Sequence, residues 1–75
     1  MTLTEEQRLE IEKKADYLAQ KKRLVTQRKA LLEELEHAES VMEEEMIIQK
    51  RDALAVKIKD LANSIRQIEA WERYA

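Results

Sequence analysis

The sequence predicts an all-α chain folded as an antiparallel, coiled-coil-like αα-hairpin that associates into a four-helix bundle. Three observations predict it. Ile47, Leu54, Leu61 and Ile68 recur every seven residues, with Ile58 and Ile65 at the intervening places, which is the pattern of a buried helix seam. The 75 residues contain no Gly and no Pro, the two residues on which turns, strand ends and phosphate loops mostly draw. Charged residues make up 40% of the chain, with Glu, Lys, Leu, Ala, Ile and Arg dominant, the composition of helical bundles and coiled coils.

The first helix is expected over residues 4–38. Thr4-Glu5-Glu6-Gln7 reads as a capping box, and Glu5, Glu6 and Glu10 lie near the positive end of the helix dipole. From there Ile11, Leu18, Val25 and Leu32 form one heptad row, with Tyr17, Leu24, Leu31 and Ala38 on the same spacing beside it. A turn is expected over residues 38–41, because the second start signal, Ser40-Val41-Met42-Glu43, is again a Ser-x-x-Glu box. The heptad frame of the first helix does not continue into that of the second, expected over residues 41–74.

Folding back at Glu39 and Ser40 pairs Leu32 with Ile47, Val25 with Leu54, Leu18 with Leu61 and Ile11 with Ile68, so every anchor meets an anchor. The rival is one continuous helix of about 110 Å. In the hairpin frame the row Tyr17, Leu24, Leu31 and the row Ile48, Ala55, Ala62 flank opposite sides of the seam and both seek an outside partner. Residues 1–75 make one domain, too short and too poor in aromatics (Tyr17, Trp71 and Tyr74) to build a thick core alone.

The net charge of −2 conceals a segregation. Residues 1–30 carry eight Lys or Arg against five acids, residues 31–46 carry seven Glu and no Lys or Arg, and residues 47–75 carry six bases against four acids. The hairpin therefore has an acidic tip beside a basic belt of residues 21–29 and 50–59. Arg28 and Arg51 share one layer of the seam, and the residues three and four away on their own helices are apolar or aromatic, so acids of another chain are expected to complete that layer.

The chemistry-bearing residues are few. His37 is the only histidine and no cysteine accompanies it, so no metal, cofactor or thiol chemistry is expected. Glu43, Glu44 and Glu45 point about 100° apart on successive residues and form no acid–base pair. Ser40 is used as a cap, no Gly-rich loop cradles a phosphate, and the chain is not expected to be an enzyme. No apolar run is long enough to cross a membrane and Met1 to Gln7 is unlike a signal peptide, so the expected location is cytoplasmic.

What remains is interaction. Tyr17, Leu24, Arg28, Leu31, Met42, Met46, Ile48, Arg51, Ala55, Ala62, Trp71 and Tyr74 are the expected interface. The partner is another protein chain, as a homodimer or a larger helical protein, and the role that of a co-chaperone, adaptor or assembly factor. In length and layout the chain is similar to small hairpin co-chaperones of bacterial secretion systems and to hairpin dimers that form four-helix bundles, with no shared motif. The alternative is a nucleic-acid-binding or regulatory helical protein that uses the basic belt.

Overall fold

The computed structural model describes residues 2–73. Three α-helices follow in chain order: α1, Glu5–Glu12; α2, Lys14–Glu36; and α3, Val41–Glu72. The long axis measures 56 Å, half the length of a continuous rod, and α2 packs closely along α3. The chain therefore reverses between Glu36 and Val41.

α1 starts as its sequence dictates. The Gln7 amide donates to Thr4 Oγ1 at 3.1 Å and the Thr4 amide donates to Gln7 Oε1 at 2.9 Å, a complete capping box. The expected single helix over residues 4–38 is interrupted at Lys13, whose φ of −83° and ψ of −3° send its N–H to the Glu10 carbonyl, three residues back. The Tyr17 amide then donates to Lys13 O at 3.0 Å and the ladder resumes, so one tightened turn separates α1 from α2.

No described residue has a positive φ, and α2 ends without a left-handed cap. Instead the His37 and Ala38 amides donate to Glu34 O and Leu35 O at 3.1 and 3.3 Å, tightening the last turn. Ser40 caps α3 in extended conformation, accepting the Glu43 amide at 3.2 Å. The expected reciprocal arm is displaced by one residue: Glu43 Oε2 accepts from the Glu39 amide, not from Ser40.

The seam corrects the expected layers on one helix only. On α3, Ile58, Ile65 and Ile68 are buried and Ile47, Leu54 and Leu61 half-buried, in keeping with the heptad row. Along α2 and just past its end the sheltered positions are Lys14, Tyr17, Lys21, Leu24, Val25, Arg28, Leu31, Leu35 and Ala38, while Leu18 and Leu32 are 46% and 41% exposed. The row Tyr17, Leu24, Leu31, expected on the flank, faces α3.

With Leu24 and Lys57 lining one hollow and Leu31, Lys50 and Leu54 another, antiparallel counting along the sheltered rows sets Lys14 level with Ile68, Tyr17 with Ile65, Lys21 with Leu61, Leu24 with Ile58, Arg28 with Leu54 and Leu35 with Ile47. The physical reason is that a Lys or Arg stem is three or four methylenes of apolar surface with a head that reaches water. A row of alternating stems and apolar side chains covers isoleucines as well as a purely apolar row does. It also runs on to Leu35 and Ala38, where the all-apolar row stops at Leu32.

Two polar contacts fasten the open end. Lys14 Nζ donates to Glu72 Oε1 at 2.8 Å, tying the start of α2 to the end of α3. Tyr17 Oη donates to Glu10 Oε2 at 2.6 Å across the Lys13 interruption, and Lys13 Nζ lies 3.5 Å from Glu10 Oε1. The phenol hydrogen bond, helped by the Lys13 charge, holds the Glu10 carboxyl below the usual carboxylate range, and the same bond raises the Tyr17 hydroxyl. Glu72 likewise raises Lys14.

Two predictions follow from this packing. Arg28→Met keeps a stem and removes a charge, so it should hold or raise the denaturation midpoint, whereas Arg28→Ala should lower stability by about 1 kcal/mol. Equal effects in chemical denaturation would show that the stem contributes nothing. The Glu10 clasp has a pH signature of defined sign. Because its folded pKa is depressed, its contribution is present above the ordinary carboxylate pKa and lost as pH falls through the depressed value. In Tyr17→Phe the Glu10 titration followed by carboxyl NMR should move up toward the ordinary range. An unmoved titration would show that the phenol is not the cause.

Candidate functional site

Ile58, Ile65 and Ile68 alone are buried hydrophobics among the described residues, so the hairpin's outer surfaces are the candidate sites. Counting about 100° per residue from the seam sorts them into flanks. One flank carries a shallow hollow of about 470 Å³ lined by Gln27, Ala30, Leu31, Lys50, Ala53, Leu54 and Lys57. A smaller hollow of about 270 Å³ adjoins it, with Arg23 and Leu24 sharing Gln27 and Lys57. Arg23, Lys50 and Lys57 give this flank a basic rim.

The opposite flank is apolar. In an antiparallel pair, positions turned the same way from the seam on the two helices lie on the same side. Leu18, Val25 and Leu32 of α2 thus stand beside Ile48, Ala55 and Ala62 of α3, away from the hollow. Leu18, Leu32 and Ala55 are exposed, and Val25, Ile48 and Ala62 are half-buried. Sequence reasoning placed Ile48, Ala55 and Ala62 on this flank and missed the Leu18 row beside them, because it had used that row as the seam.

The tip differs again. Every residue from Val41 to Met46 is exposed, Val41 at 69% and Met42 at 73%, because α3 starts beyond the end of α2 and its first turn has no opposing helix. Val56, 61% exposed, stands apart from these on the outer face of α3. At the other end, half-buried Trp71 lines a hollow with Thr4, Gln7, Leu9, Glu10 and Lys13, a lid over α1. Tyr74 lies outside the described residues.

Arg28 and Arg51 are both half-buried. The expectation that no local carboxylate reaches them is corrected for Arg51, whose Nη2 lies 3.3 Å from Oδ1 of Asp52, its sequence neighbour. Adjacent helix residues diverge by about 100°, but a long guanidinium bends back far enough to bridge that gap. Arg28 has no carboxylate partner among the described residues.

His37 is exposed, and no three His, Asp or Glu side chains converge as metal ligands among the described residues. No helix among them is long and apolar enough to cross a membrane. The surface therefore offers helix faces, charges and shallow grooves. Comparison of the chain with protein families, with curated proteins and with solved structures finds no match to any of the three.

Proposed function

We propose that this chain is a small non-enzymatic interaction module that acts by helix–helix docking or self-association. Its product is a four-helix bundle, formed by two copies or by one copy and a larger helical partner. Co-chaperone, adaptor or assembly factor, working in the cytoplasm, is the kind of role such a module serves.

One observation carries the reading. The chain exposes 6133 Å², whereas a folded monomer of its 8.9 kDa mass exposes about 4,800 Å². The excess of about 1,300 Å² exceeds the roughly 800 Å² that each partner contributes to a standard protein interface. The elongated shape accounts for part of it, but exposed Leu18 and Leu32 lie in one heptad row with half-buried Val25, as on a docking face. A second reading, nucleic-acid binding, is favoured only by the basic rim of Arg23, Lys50 and Lys57; it requires a band shift that weakens steeply with salt.

Light scattering on the purified chain tests the main reading. The expected result is a mass of two chains, or a weakly folded monomer that gains helicity and a defined mass when a helical partner is captured. A monodisperse, well-folded monomer that captures no protein partner would contradict it.

A further inference from the structure

We propose that the flank carrying Leu18, Val25, Leu32, Ile48, Ala55 and Ala62 is covered by a second copy of this chain lying antiparallel to the first, the acidic tip of each over the basic belt of the other. This rests on the self-association reading above and specifies its surface and orientation.

The apolar residues come in three steps along the flank. Leu32 stands near Ile48 toward the tip, Val25 near Ala55 in the middle, and Leu18 near Ala62 toward the base. A two-fold axis level with Lys29 and Asp52, between the tip and middle steps, sets Leu32 and Ile48 of one copy against Val25 and Ala55 of the other, two large side chains against one larger and one small. That alternation lets facing layers interdigitate. A two-fold interface uses one patch on both copies, and here the tip step of each copy packs on the middle step of the other, with Leu18 and Ala62 under the partner's tip.

Charge selects the orientation. Just outside the apolar rows lie exposed Lys22, Lys29 and Glu36 on α2, and exposed Glu45, Asp52 and Lys59 on α3. Read from tip to base, the rim is doubly acidic at Glu36 and Glu45, mixed at Lys29 and Asp52, and doubly basic at Lys22 and Lys59. In the antiparallel dimer α2 faces α2 and α3 faces α3, so Glu36 meets Lys22 and Glu45 meets Lys59, each twice by symmetry. Only the middle rung meets its own kind. The parallel dimer sets Glu36 against Glu45 and Lys22 against Lys59, repulsive at both ends.

The test is the dimer dissociation constant at low ionic strength. Glu36→Lys should weaken the dimer about fivefold or more, and adding Lys22→Glu in the same chain should restore it, since exposed pairs contribute up to about 1 kcal/mol each. A single reversal that leaves the dimer unchanged or tightens it overturns the orientation. Leu18→Glu with Leu32→Glu, both at exposed positions, should give a helical monomer. If that variant is instead unfolded, spin labels at position 16 of the otherwise native chain decide: about 40 Å between copies supports the antiparallel pair, and under about 20 Å overturns it. A Leu18→Glu/Leu32→Glu dimer of native affinity overturns the flank assignment while leaving docking through another face intact. A monomeric native chain removes both this proposal and the self-association reading.

Discussion

The structure depends on a row of cationic stems packed against a row of isoleucines. α3 supplies Ile58, Ile65 and Ile68, and α2 covers them with Lys14, Tyr17, Lys21 and Leu24, half of them charged. Each methylene buried contributes about 0.8 kcal/mol whichever side chain carries it, provided the ammonium or guanidinium head stays in water. In a two-helix layer every head can reach water. The seam is consequently rotated so that the apolar residues it does not need, Leu18, Val25 and Leu32, emerge together on one flank. The fold and the proposed docking surface thus arise from the same choice of face.

The ends of the helices follow from the missing glycine. With no residue suited to a left-handed cap, α2 closes by tightening onto Glu34 and Leu35, and the chain crosses to α3 through extended Ser40. The crossing runs partly along the long axis, so α3 starts beyond the last turn of α2 and Val41 to Met46 protrude uncovered. The seven glutamates of residues 31–46 gather around this tip. Their mutual repulsion is lowest where solvent surrounds them, and their charge is then available to a basic surface.

Much of the fold was legible in the sequence, and its failures have a common cause. The caps at Thr4 and Ser40, the reversal near residues 37–40 and the α3 row Ile47, Leu54, Leu61 and Ile68 could be read because capping chemistry and strict apolar spacing are local signals. The α2 seam could not, because the reading anchored it on the strictly apolar row Ile11, Leu18, Val25, Leu32 and treated Arg28 in the seam as a charge awaiting a partner. Counting stems as apolar surface would have made Lys14 to Ala38 the longer continuous row. The Lys13 interruption carries no sequence signal, since lysine is a good helix former. The Arg51–Asp52 contact was missed because only neighbours three and four residues away were considered.

The orientation of α2 about its own axis is the central claim, and it is measured most directly by side-chain nuclear Overhauser contacts within one chain, separated from those between chains by isotope filtering. The account predicts intramolecular contacts from Leu24 to Ile58 and from the Tyr17 ring to Ile65, with none from Leu18 to Leu61 or Val25 to Leu54. Strong Leu18–Leu61 and Val25–Leu54 contacts, with Leu24 free of Ile58, would contradict it.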